Sequence, residues 1–303
     1  MSRPSFLEFV ICRWYVAGVI VLSSLSACTM QSSIGEQANN LSPVSQIVKV
    51  QDLSAAINQA KALPVSSTLV VFDIDDTLLT ATEFFGSDKW YDWQRGRALS
   101  PDGQPLVTDD ADKVSCLFDT LGITYEIATN RATQDNMAEL VNQLDNDLLL
   151  LTARSGNYRA ATMRELTRNG IDFSEQALTP KDVGYHYDFT NDGRTATMSY
   201  VDGVFMVQGM DKGILLLDLL ARVGQTYDAV VFVDDKTHNI ENMARALKNA
   251  NIDYYGFHYT KIDKTVSQQE VQHAQNAASD LTKLLKHHFV DRAQLISNGQ
   301  CDY

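Results

Sequence analysis

The stretch Leu69-Val70-Val71-Phe72-Asp73-Ile74-Asp75-Asp76-Thr77 constrains this chain more than any other. Its apolar run, Leu69 to Phe72, has the length of a buried strand and stops abruptly at Asp73, Asp75 and Asp76. Strands buried on both faces belong to parallel sheets, and open α/β sheets take their ligands at the carboxyl ends of such strands. Three carboxylates crowded there repel one another unless a cation sits among them. An oxygen-only, carboxylate-rich site suits Mg²⁺, above all with phosphate in reach. One carboxylate can attack phosphorus while a second moves protons. An acidic turn would explain one or two Asp, but poorly the ordered Asp-Ile-Asp-Asp-Thr.

Further strand ends carry matching chemistry. Leu148 to Leu151 reads as a second buried strand, ending in Thr152-Ala153-Arg154 and followed by a helix from Tyr158 to Arg168. An alcohol at that edge can donate a hydrogen bond to a phosphoryl oxygen. A rival Thr129 stands in Ile127-Ala128-Thr129-Asn130-Arg131, but Thr152 follows the longer and more apolar run. Met210-Asp211-Lys212-Gly213 opens an apolar helix from Ile214 to Val223. A lysine at a helix N-terminus opposes the macrodipole, so a phosphate or a carboxylate cluster is the better reason for Lys212. Ala229 to Val233 is another strand, running into Asp234-Asp235-Lys236-Thr237-His238-Asn239.

In that order, Asp73-Ile74-Asp75-Asp76-Thr77, Thr152, Lys212 and Asp234-Asp235 with Asn239 resemble motifs I to IV of the haloacid dehalogenase superfamily. The resemblance implies an α/β fold: a Rossmann-like parallel sheet with helices on both faces, a small cap insertion and a β-hairpin. It implies Asp73 as nucleophile, Asp75 as general acid and base, and Thr152 and Lys212 as holders of the phosphoryl oxygens. Mg²⁺ would be bound by Asp73, the backbone carbonyl of Asp75, and Asp235, with Asp234 a competing ligand. Asn239 and Thr77 would support these groups; the superfamily often has Asp where this chain has Asn239. The implied activity is a Mg²⁺-dependent phosphomonoester phosphatase acting on a small phosphorylated substrate through an aspartyl-phosphate. A phosphotransferase would use the same residues, and a non-catalytic binding module of the same fold is the alternative from another class. The run Phe85-Gly86-Ser87-Asp88-Lys89-Trp90-Tyr91-Asp92-Trp93-Gln94 with motif I is similar to a bacterial family of unknown function within that fold. More distantly, motif I and the N-terminus resemble the lipoprotein acid phosphatases.

The N-terminus reads as a targeting segment. Arg3 and Arg13 precede or open a 12-residue apolar stretch, Trp14 to Leu25, too short to span a bilayer. Leu25-Ser26-Ala27-Cys28 resembles a bacterial lipobox with Cys28 as the lipidated residue. Residues 1–27 would then be a signal peptide and 28–50 a polar tether. The expected location is the cell envelope, lipid-anchored, with the outer membrane favoured because Thr29 and not Asp follows Cys28. Losing Arg3, Arg13 and Glu8 takes the formal net charge from −13 to −14, which argues against nucleic acid as a partner. No protein partner is expected. Cys116 and Cys301 remain, and in an oxidising compartment they can pair.

The catalytic domain is expected over 51–292, with a C-terminal tail at 293–303. It begins with a helix at 51–63 and includes others at 134–144 and 158–168. A further strand is read at Ile252–Phe257, and a hairpin at 196–207 turning at Asp202-Gly203. The insert at about 81–130 carries Phe84, Phe85, Trp90, Tyr91 and Trp93, either to recognise a substrate's organic part or to pack the cap onto the core. His238, His287 and His288 are expected on the surface.

Overall fold

The computed structural model describes residues 42–302. The expected signal peptide, Cys28 and most of the expected tether lie outside the described residues. The strands are β1 (Ser45–Val50), β2 (Thr68–Phe72), β3 (Leu79–Ala81), β4 (Asn130–Ala132), β5 (Asp147–Thr152), β6 (Tyr185–Asn191), β7 (Arg194–Val201), β8 (Val204–Met206), β9 (Ala229–Asp234) and β10 (Asp253–Tyr259). The helices are α1 (Ser54–Lys61), α2 (Asp88–Gln94), α3 (Leu117–Ile127), α4 (Met137–Asn142), α5 (Arg159–Arg168), α6 (Lys212–Val223), α7 (Thr237–Asn249), α8 (Gln268–His288) and α9 (Val290–Ser297).

Eight strands form one sheet in the order β1-β10-β9-β2-β5-β8-β7-β6. Pairing is parallel from β1 through β8 and turns antiparallel at β7 and β6. The central strands are apolar throughout because both of their faces are covered. Val70 and Phe72 of β2 pack with Leu148 and Leu150 of β5 and with Ala56 and Ile57 of α1. Leu69 and Val71 face the other way, onto Leu215, Leu216 and Leu219 of α6 and Met243 of α7. This is a Rossmann-like α/β architecture with helices on both faces of a mostly parallel sheet. Its centre, β9-β2-β5, brings the carboxyl ends of three acidic or hydroxylic segments side by side.

Two elements differ from expectation. The segment read as tether through residue 50 ends in β1, whose register pairs Ser45 with Tyr254 and Val50 with Tyr259. Its polar sequence reflects an exposed edge strand. The expected hairpin turns at Asp202-Gly203, but β7 also pairs with β6 through a second turn at Asp192-Gly193. Both turns have the positive φ values at consecutive residues that two-residue hairpins need.

The 81–130 insert folds around α2 and α3 and packs against the C-terminal α8. Trp90 and Trp93 are buried with Leu121, Val266, Val271 and Ala274. A Cys116–Cys301 disulfide, closing 185 residues of sequence, fastens the C-terminal tail to the start of α3. Beside it, Asp119 accepts from Arg292 and from the backbone N–H of Asp302.

Candidate active site

The site starts where β2 ends. The Asp73 backbone N–H donates to the Val233 carbonyl (2.9 Å), locking the end of β2 against β9. The chain then turns sharply: the Ile74 carbonyl accepts from the N–H groups of Thr77, Leu78 and Leu79. Asp76 takes the left-handed φ of 55° that this turn requires, a conformation Asp tolerates better than most residues. As a result Asp73 is buried while Asp75 faces an open cavity. Thr77 lies 3.4 Å from Asp73 Oδ2.

Lys212 is the first residue of α6. Asp211 caps that helix, accepting from Gly213 N–H and Ile214 N–H, which leaves the Lys212 side chain free to enter the sheet edge. Its ammonium donates to Asp73 Oδ1 (2.5 Å) and Asp234 Oδ2 (2.7 Å) and is almost wholly buried. Gly213 lets α6 sit close to α7, since a Cβ there would meet the Asn242 carbonyl at 2.7 Å. Burial alone would weaken the charged lysine, but Asp234 and Asp73 more than reverse that and hold it above the usual lysine range. Burial pushes the Asp73 carboxyl up to about 7; Lys212 opposes the rise, and the charges of Asp234 and Asp75 add to it.

The two acids at the end of β9 have different surroundings. Asp234 is saturated: Oδ1 accepts from Lys236 N–H and Asn239, and Oδ2 accepts from Lys212 and Asn239. Asp235 is not. Its Oδ2 is buried without a hydrogen-bond partner, although Lys264 Nζ lies 2.6 Å away outside hydrogen-bonding geometry. Burial therefore drives the Asp235 carboxyl well above the ordinary range. Asp73, Asp234 and Asp235 can each offer an oxygen with all three within 4.8 Å of one another. An all-oxygen donor set of three clustered buried carboxylates, one with an oxygen that accepts no hydrogen bond, fits a hard divalent cation.

Residues 46–291 match a sequence family described as "Protein of unknown function (DUF2608)". The chain belongs to this family. The DUF2608 match contains the whole sheet except the first residue of β1, and every site residue described above. No curated protein and no solved structure matches the chain.

Within this DUF2608 chain, Thr152 sits at the end of β5 beside β2, on the same sheet edge as Asp73. It is fully buried, and its hydroxyl accepts from the Arg154 N–H. The rival Thr129 lies off the main sheet, between α3 and β4, where its hydroxyl meets Thr82. His238, His287 and His288 are exposed. Sequence reasoning gave no role to four further residues that the fold delivers here. Arg154 grips both Asp75 oxygens, Nε to Oδ2 at 2.9 Å and NH2 to Oδ1 at 2.7 Å. Lys264 reaches Asp76, Asp88 and Asp235 from the loop before α8. Lys236 pairs with Asp88 and Asp92 of α2, tying the insert to the end of β9. Burial opposes ionisation of Asp88, but Lys264 and Lys236 outweigh it and hold this carboxyl down at about 2. Arg154 and Lys236 were visible as neighbours of motif residues and Asp88 as a member of the Phe85–Gln94 run; Lys264 carried no local signal.

Proposed function

We propose that this protein is a Mg²⁺-dependent phosphomonoester phosphatase of the haloacid dehalogenase type. The observation that carries the reading is the Asp73–Lys212–Asp234 bridge beside the buried Asp235 carboxylate, at the carboxyl edge of a parallel sheet. A buried lysine between two carboxylates favours the ionised aspartate against burial and aims it, which is what a carboxylate nucleophile needs. Asp234, with its oxygens already taken, acts as the anchor of Lys212. Asp235 and Asp73 are the side chains that would hold the metal, with the Asp75 carbonyl. When bound, Mg²⁺ would offset the repulsion between these carboxylates and an incoming phosphate.

Asp73 would attack phosphorus in line, forming an acyl phosphate as the bond to the leaving oxygen breaks. Asp75 stands at the cavity and would give that oxygen a proton, then take one from the water that cleaves the intermediate. The Arg154 fork holds both Asp75 oxygens and fixes the orientation of that carboxylate at the cavity. Lys212 and Thr152 would steady the phosphoryl oxygens, since phosphoryl transfer rests mainly on positioning and charge.

We further propose placement in the cell envelope through a lipid on Cys28. The Cys116–Cys301 disulfide supports an oxidising compartment. The test of the activity is hydrolysis of phenyl phosphate by purified protein with Mg²⁺, with EDTA, and with Asp73→Asn. Turnover that requires both the metal and Asp73 is expected. Turnover surviving in clean Asp73→Asn protein would sink the nucleophile, and a folded protein that neither binds Mg²⁺ nor turns over would favour a binding module.

A further inference from the structure

Asp75 and Arg154 form part of the wall of a cavity of about 530 Å³ that lies between the 81–130 insert and the sheet edge. That volume falls in the range of small-molecule sites. Four aromatic side chains, Tyr91, Phe118, Tyr125 and Tyr158, stand in its other walls. Tyr91 and Phe118 approach each other with ring centroids 6.2 Å apart, and Tyr125 and Tyr158 with centroids 5.0 Å apart. Arg154 lies over the Tyr125 ring, 4.3 Å from its centroid, so the aromatic wall continues directly into the group that holds Asp75. Phe118 is 42% exposed, so its ring is open to whatever enters the cavity.

Two guanidiniums complete the lining. Arg95, just past the end of α2, has no ion-pair or hydrogen-bond partner for its side chain among the described residues. Arg194, at the start of β7, donates among the described residues only to the Gln208 and Gly209 carbonyls, neutral acceptors that leave its charge uncompensated there. Both are exposed, whereas Arg154 and Tyr158 are buried, so the positive charge sits at the outer end and the reacting carboxylate at the inner end. The one acid besides Asp75 in the lining, Asp88, is already paired with Lys236 and Lys264. In a chain of net charge −13, two unneutralised arginines beside an aromatic slot are a local reversal.

We infer that this cavity holds the leaving group of the substrate, and that this group is a flat aromatic ring carrying a second anionic group that Arg95 and Arg194 receive. The inference rests on the phosphatase reading of Asp73 and Asp75. Aromatic walls favour a ring through offset and edge contacts beyond simple burial. Guanidiniums favour a carboxylate or phosphate through paired, charge-assisted bonds.

Calorimetric binding of four non-hydrolysable probes in Mg²⁺ tests it: methylphosphonate, phenylphosphonate, para-phosphonobenzoate and para-phenylene bisphosphonate. Turnover of methyl and phenyl phosphate is measured alongside. The expected order is methyl weakest, phenyl stronger and the doubly anionic ring strongest, the last two probes separating a carboxylate from a phosphate as the second group. Arg95→Met, which removes no internal contact, should weaken the preferred doubly anionic probe about tenfold relative to phenylphosphonate. Arg194→Met should do the same, with its melting temperature recorded because it also loses the two carbonyl bonds. Equal binding of methyl and phenyl probes, or no binding of any, would overturn the inference. So would an unchanged doubly anionic preference in Arg95→Met. Turnover without aromatic preference would leave the phosphatase reading standing alone. The predicted binding order without turnover of any ester would overturn the phosphatase reading and keep the cavity.

Discussion

Lys212 Nζ stands 2.5 Å from Asp73 Oδ1, joining the first turn of α6 to the end of β2 across 139 residues of sequence. Both side chains are nearly excluded from solvent, and Asp234 shares the same ammonium. Buried charges of this kind hold only as a set, because removing one partner strands the others away from water.

Lys212→Met should therefore destabilise the fold by about 3–5 kcal/mol as well as abolish turnover. Chemical denaturation checks the first effect and phenyl phosphate hydrolysis the second. A variant as stable as the parent would mean that Asp73 and Asp234 are not charged together in the native protein.

Arg154→Met should leave the sheet intact but free Asp75 to rotate. Loss of a correctly held acid–base group lowers kcat about 10²-fold or more. Arg154→Lys should recover little, because an ammonium cannot bond both carboxylate oxygens in the plane of a fork. Steady-state kinetics on the two variants test this, and a kcat within a few-fold of the parent in Arg154→Met would remove Arg154 from the mechanism.

How much of this was legible in the sequence depended on burial. Strands β2, β5 and β9 are covered on both faces, so they read as unbroken apolar runs, and the acids ending β2 and β9 and the alcohol ending β5 followed directly. Edge strands β1 and β6 expose alternate or most residues, so Ser-Gln-Ile-Val-Lys-Val looked like tether and Tyr185–Asn191 gave no strand expectation. Helix α8 did carry a signal, the Ser267/Glu270 capping box, which went unread beside its polar sequence. Of the insert's aromatics, Trp90 and Trp93 are packing, the second of the two expected uses, and Tyr91 lines the cavity. Lys264 meets Asp76 across 188 residues, a juxtaposition that only the finished topology creates.

The disulfide links α3 of the insert to the C-terminal tail, so it should stabilise the whole assembly of insert, α8 and tail. Reduction, or Cys116→Ser with Cys301→Ser, should cost about 2–5 kcal/mol. Melting curves with and without reductant check this; coincident curves would contradict it.

Glu270 closes the cap of α8 and receives Lys89 of α2 at 2.8 Å. Burial pushes its carboxyl up, but Lys89 and the Ser267 bonds outweigh that and hold it below its ordinary 4.5. A lowered folded value stabilises the protein fully above 4.5, and the benefit is lost as pH falls through that lower value. Glu270→Gln should therefore reduce stability at neutral pH by about 0.5–1 kcal/mol, allowing for the partial exposure of the pair. The difference between variant and parent should vanish in strong acid. A gap that persists there would assign the effect to packing instead of charge.

The most direct measurement is to trap the covalent intermediate. Protein turning over phenyl phosphate in Mg²⁺ is quenched in acid, reduced with borohydride and digested, and the peptide containing Asp73 is read by mass spectrometry. The account predicts reduction of Asp73 to homoserine, dependent on substrate and Mg²⁺ and absent from Asp73→Asn. Turnover with Asp73 unmodified, or with the label on another residue, would contradict it.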